Sequence, residues 1–193
     1  MQRMTGMLIG AVFGMVFVLI NAADPLNAVI GGVLRGLAVL SLIGVVVMWF
    51  LAVRRVKTGR TEPIAIPGPA APMFSRGYWL VVVAEAVLLF GGIAVLRAWG
   101  RPEQTNVAWI AFVVGVHFIV LAPVWKQWGI AVPGVILTVL GVIGLVLAAT
   151  SAVAWVPFVS GVLSGVFLLL GCVTFAWRGL ASLTPRDEVT AAA

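Results

Sequence analysis

The chain has 193 residues, 63% of them hydrophobic and only 9% charged, where a soluble domain carries about 25% charged residues. The apolar runs are too long and too numerous for one water-soluble core, so a globular cytoplasmic protein is excluded. The net charge of +6 does not form a nucleic-acid face, because its lysines and arginines fall between apolar runs, where they set membrane topology.

The expected fold is all-α: a polytopic integral membrane protein with six transmembrane helices in three antiparallel hairpins, surrounded by the lipid bilayer. The first span covers residues 4–20. Its apolar run exceeds an ordinary signal core, and Asn21-Ala22-Ala23 is a poor cleavage pattern, so it reads as a retained helix. Gly6, Gly10 and Gly14 recur every four residues. That spacing puts three glycines on one stripe, where another helix can approach closely. Residues 21–27 turn at Asp24-Pro25. The second span lies within 28–53 and is interrupted early by Arg35. Arg35 reads as a snorkelling interfacial anchor within reach of Asp24. Residues 1–53 thus form a two-helix N-terminal hairpin.

Residues 54–76 form the one long loop. It opens with Arg54, Arg55, Lys57 and Arg60, and continues through Pro63, Pro67, Pro69 and Pro72. This composition favours an extended cytoplasmic connector lying near anionic headgroups. A four-helix transmembrane unit follows over residues 77–177. Its spans are 78–96, 107–124, 130–149 and 153–177. Pro123 ends or kinks the second of these, and Thr138 in the third can bond back to its own helix. Ser160, Gly161, Ser164 and Gly165 make two overlapping small-xxx-small pairs in the last, again a packing signature. The tail, residues 178–193, is polar and small, and disorder is expected there.

Threading follows from two residue classes that do not overlap. With six spans, Arg3, Arg54, Arg55, Lys57, Arg60, Arg76, Lys126, Arg178 and Arg186 share one side, and Arg35, Arg97 and Arg101 the other. The positive-inside rule makes the first side cytoplasmic, with both termini inside, in the plasma (inner) membrane. Trp49, Trp79, Trp125, Trp128 and Trp177 fall at inner span ends, and Trp99, Trp109 and Trp155 at outer ends. Tryptophan favours these interfaces.

The candidate site is the one acid and the one histidine inside the spans, Glu85 and His117. Glu85 lies seven residues into its span and His117 seven residues before the end of the next. Antiparallel helices therefore hold them at one depth, roughly 10 Å from the cytoplasmic face. A charged carboxylate there costs about 2.5–3.5 kcal/mol on insertion scales, so a partner or a wet cavity is expected. Carboxylate and imidazole can share a proton or pair as ions. The plain alternative is a structural polar contact between helices.

No phosphate-binding glycine loop, paired-histidine metal spacing or nucleophile elbow is present. No cofactor or metal is called for, and an enzyme is disfavoured. The lone Cys172 sits inside an apolar span and reads as a small packing residue. Two functional readings follow. One is a small transporter, channel or proton-linked sensor using Glu85 and His117 as a proton or ligand site. The other is a non-transporting scaffold, assembly partner or envelope-stress component, as a homo-oligomer or with a membrane partner.

Overall fold

A computed structural model describes residues 2–58 and 75–181, and all the regular structure in them is helical. The helices are α1 (Gln2–Asn21), α2 (Ala28–Lys57), α3 (Arg76–Ala98), α4 (Gln104–Val124), α5 (Ala131–Leu147) and α6 (Leu163–Ala181). A short 3₁₀ turn, Trp128–Ile130, leads into α5. A second 3₁₀ turn, Val153–Trp155, and a π-helical segment, Pro157–Val162, lead into α6. Five segments are long and apolar enough to cross a membrane: Ala28–Lys57, Arg76–Ala98, Gln104–Val124, Trp128–Leu147 and Val153–Ala181. A shorter apolar helix, Gly6–Asn21, makes the sixth. The proline-rich part of the long loop, residues 59–74, and the tail from residue 182 lie outside the described residues.

Local chemistry sets the helix ends. The Asn27 side chain accepts a hydrogen bond from the Val29 amide at 2.8 Å, and Ser75 Oγ accepts one from the Tyr78 amide at 3.3 Å. Each satisfies a donor that a helix start leaves free. α2 runs to Lys57, one turn past the expected end of its span. Arg54, Arg55 and Lys57 lie in that last turn, where positive charge meets the negative end of the helix dipole. At 30 residues the helix is about 45 Å long, longer than the hydrocarbon core is thick. α6 likewise continues through Arg178 to Ala181, so the first residues of the expected disordered tail are helical.

Arg35, expected as an interfacial anchor, finds its partner in the backbone of α1. Its Nε donates to the Leu19 carbonyl at 3.1 Å instead of reaching Asp24. Leu19 lies in the last turn of α1, whose end carbonyls have no partner within the helix, so the guanidinium ties α1 to α2. At the same joint Gly31 lies directly beneath the Ala22 carbonyl.

The first and last helices pack together. α6 contacts both α1 and α2, around a core of Ala11, Val18, Ala38, Val45, Val162 and Leu169. Their register runs in opposite chain directions. Gly10 faces Cys172 Sγ, Gly14 faces Gly165 and Leu169, and Gly161 faces Asn21. α4 and α5 form the other tight pair. Gly141 lies against the Phe112 backbone, Gly115 against Thr138, and Gly144 against Ala108 and Ser160. The π-helical segment touches α1, α4, α5 and α6 and so joins the two groups. Within it, Ser160 Oγ donates to the Leu140 carbonyl of α5 at 2.8 Å. Thr138 donates back to the Gly134 carbonyl of its own helix at 2.8 Å.

α3 stands apart. Among the described elements it packs substantially against α4 alone, and none of its residues is buried.

Candidate functional site at the seam of α3 and α4

Three contacts along the length of α3 hold it to α4. At one end Tyr78 stacks on Trp125, ring centroids 5.8 Å apart. At the other the Trp109 indole lies over Gly92, where any side chain would collide with it. Its Nε1 donates to the Leu88 carbonyl at 3.0 Å. Between them, Glu85 Oε2 lies 2.9 Å from His117 Nδ1.

The pair is largely covered, with 12% of the His117 side chain and 23% of Glu85 exposed. Its distance is that of an ion pair or a shared proton. The carboxylate oxygen nevertheless sits off the line of the ring N–H, and Nδ1 has no aligned hydrogen-bond partner. The contact is therefore electrostatic more than directional, and Nδ1 is itself buried. His117 also lies edge-on to the Phe118 ring, centroids 5.7 Å apart.

Beside the pair runs a groove of about 270 Å³. Apart from Glu85 and His117, its lining is Leu80, Val81, Ala84, Leu88, Val113, Val116 and Val120. An imidazole and a carboxylate are ligand-type groups, but among the described residues no third histidine, cysteine or acid joins them. That donor set is smaller than a structural or catalytic zinc site requires. Proton exchange and ion pairing between the two groups are the chemistry available here.

The other sequence-selected residues lie elsewhere. Gly10, Gly14, Ser160, Gly161, Ser164 and Gly165 are at the junctions of α6 with α1 and α5, and Gly6 is half-buried in α1. The structure brings none of them to the seam. From sequence alone Trp109 is an interfacial anchor; the structure places it in the seam. The signal lies in the sequence: an indole N–H two residues into a span needs an acceptor, and Gly91-Gly92 offers exposed backbone on the neighbouring span. The α4–α5 contact was missed as well. Ala108, Ala111, Gly115 and Ala122, all buried, form a small-residue face that is legible once the spacing is counted across alanine as well as glycine.

No family model matches the chain, and no curated protein or solved structure matches it either.

Proposed function

We propose that the chain is a multi-pass protein of the plasma (inner) membrane, threaded as three antiparallel hairpins with both termini cytoplasmic, and that Glu85 and His117 form a proton-linked sensor site. The charge asymmetry of the loops and the placement of tryptophan at span ends support the threading. Within the class of transporter, channel or sensor, the sensor is favoured because the groove walls are hydrocarbon, whereas transporters line their substrate sites with several polar contacts and broken helices.

The observation that carries the reading is the 2.9 Å approach of Glu85 to His117 on the seam that attaches α3. An imidazole changes charge between about pH 5 and 8. A protonated His117 attracts an ionised Glu85; a neutral imidazole leaves the carboxylate without that counter-charge. α3 itself carries Arg76 and Tyr78 near its start and Arg97 near its end. α5 and the π-helical segment contain no titratable side chain, and His117 is the only such residue in α4. Loss of the proton from the pair is therefore expected to weaken the attachment of α3. Hydrogen exchange on purified protein in lipid nanodiscs tests this. Protection of residues 80–92 is expected to differ between pH 5.5 and 8.5 in the wild type and to be the same at both in His117→Gln. A flat wild-type profile overturns the reading, and specific proton flux in liposomes would move it to a transporter or channel.

A second reading, a non-transporting scaffold or assembly partner, is supported by α3 itself. A helix with no buried residue offers its outer face to another copy or a membrane partner. Crosslinking in native membranes separates this reading from the first.

A further inference from the structure

We propose that the last turn of α2 holds the phosphate of an anionic phospholipid between the Arg54 and Arg55 guanidinium groups, with an acyl chain of that lipid lying down the helix over Leu51. The threading proposed above decides only which leaflet supplies the lipid, and the Glu85–His117 pair plays no part.

Helix length sets the depth of this turn. At 30 residues α2 overshoots a hydrocarbon core of about 30 Å, and its charged end is carried into the headgroup layer. Trp49, five residues before Arg54, belongs at the boundary between the two. Leu51, Arg54, Arg55 and Thr58 line a surface pocket of about 330 Å³, and all four are exposed. That is room for roughly eleven water-sized groups, enough for a phosphate and its glycerol. The lining is ordered along the helix. Leu51 lies on the bilayer side, and the two guanidinium groups and the Thr58 hydroxyl lie one and two turns beyond it. A phospholipid has its parts in the same order, whereas a free phosphate makes no use of Leu51.

Charge selects the head. Among the described residues the acids are Asp24, Glu85 and Glu103, and none lies in α2. The two arginines therefore have no carboxylate on their own helix, and a guanidinium matches a phosphate in geometry as well as in charge. The free carbonyls at a helix C-terminus oppose an anion, but here Thr58 occupies them. Its amide donates to the Arg54 carbonyl at 3.0 Å. Its Oγ1 donates to the carbonyls of Arg54 and Arg55 at 2.9 and 3.2 Å. A head that also carries an ammonium brings positive charge to two arginines on a helix without an acid. Glycerol-type anionic heads are therefore preferred over choline-type heads.

The test is native mass spectrometry of the full-length protein in mild detergent, titrated with phosphatidylglycerol, phosphatidylcholine or inorganic phosphate. Arg54→Gln and Arg55→Gln change exposed side chains and leave the packed core untouched. Each is expected to lower phosphatidylglycerol affinity about five-fold, and the double variant about twenty-five-fold, the worth of one and two basic residues near anionic headgroups. Phosphatidylcholine binding is expected to be weak and the same in every variant. Arg76→Gln removes the same charge from α3, which α2 does not contact substantially among the described elements, and is expected to cost less than about two-fold, because screening confines the effect of a distant charge. Leu51→Ser is expected to weaken phosphatidylglycerol and leave inorganic phosphate unaffected. Equal binding of the two lipids overturns the proposal. So does a loss in Arg76→Gln equal to that in Arg54→Gln, which would mean diffuse surface charge. Displacement of phosphatidylglycerol by inorganic phosphate beyond that by sodium chloride of equal ionic strength overturns the lipid as occupant, as does unchanged phosphatidylglycerol affinity in Leu51→Ser.

Discussion

Gly14 and Gly165 lie against each other's backbone. A Cβ on Gly14 would stand 2.9 Å from the Gly165 carbonyl oxygen, and one on Gly165 would stand 2.5 Å from that of Gly14. Gly115 and Gly134 repeat the arrangement between α4 and α5, at 2.8 and 2.9 Å. Backbone cannot step aside as a side-chain tip can, so one methyl group must push the helices apart.

Gly14→Ala and Gly115→Ala are each expected to destabilise the protein by about 1–3 kcal/mol, the usual penalty for overpacking a tight interior. Gly36→Ala is the control. Nothing lies within 4 Å of the Cβ it would add, and alanine is the better helix former by about 1 kcal/mol. Thermal unfolding in one mild detergent at neutral pH should show losses for the first two and no loss for the third.

Glu85→Gln keeps shape and hydrogen-bonding ability but removes the charge. A double-mutant cycle with His117→Gln at pH 6 is expected to give a coupling of about 0.6 kcal/mol, within the ceiling of about 1.7 seen for contacts between membrane helices.

Thr105 is buried, and its hydroxyl has no hydrogen-bond partner. An unpaired buried polar group costs about 1–3 kcal/mol, and an apolar group of the same shape removes that cost. Thr105→Val should therefore match or exceed wild-type thermal stability. Ser160→Ala should lower stability by about 1 kcal/mol, because Ser160 Oγ holds the Leu140 carbonyl.

Trp109→Phe removes the indole donor to Leu88 while keeping an aromatic ring over Gly92. Gly92→Leu removes the room for that ring. Hydrogen exchange should show modest loss of protection in α3 for the first and broad loss for the second. α1, α2 and α6, which α3 does not contact substantially, should be unchanged by either.

Helix number and apolarity were legible in the sequence because the bilayer imposes them. Each span must be about 20 residues of hydrocarbon character, and this composition leaves no other way to arrange 63% hydrophobic residues. The common depth of Glu85 and His117 could be counted along the chain. That the two side chains turn toward each other could not, because rotation about a helix axis is set by packing. In an aqueous protein an apolar stripe reports that rotation. Here α4 is apolar all round, so Val113 and Val120 give no clue from type alone, although the first is buried and the second exposed. The helix neighbours were hidden for the same reason. Glycine and serine spacing in residues 160–165 marked a close approach but not its partner. Asn21, Gly14 and Leu140 emerged as the partners only once α1 and α5 were placed. Arg35 is a further case: its hydrogen bond to a helix-end carbonyl follows from the geometry of α1, which charge pairing with Asp24 does not anticipate.

The contact between Gly14 and Gly165 joins positions about 150 residues apart, and that has a consequence for biosynthesis. A ribosome adds roughly 5–20 residues per second, so α1 reaches the membrane on the order of ten seconds before the helix that covers its glycine face. During that interval the groove along Gly10 and Gly14 faces lipid or the insertion machinery. The bundle closes only when the last helix arrives. A chain released before α6 is made leaves that face unsealed, and such fragments should be cleared by membrane proteolysis while the completed protein persists.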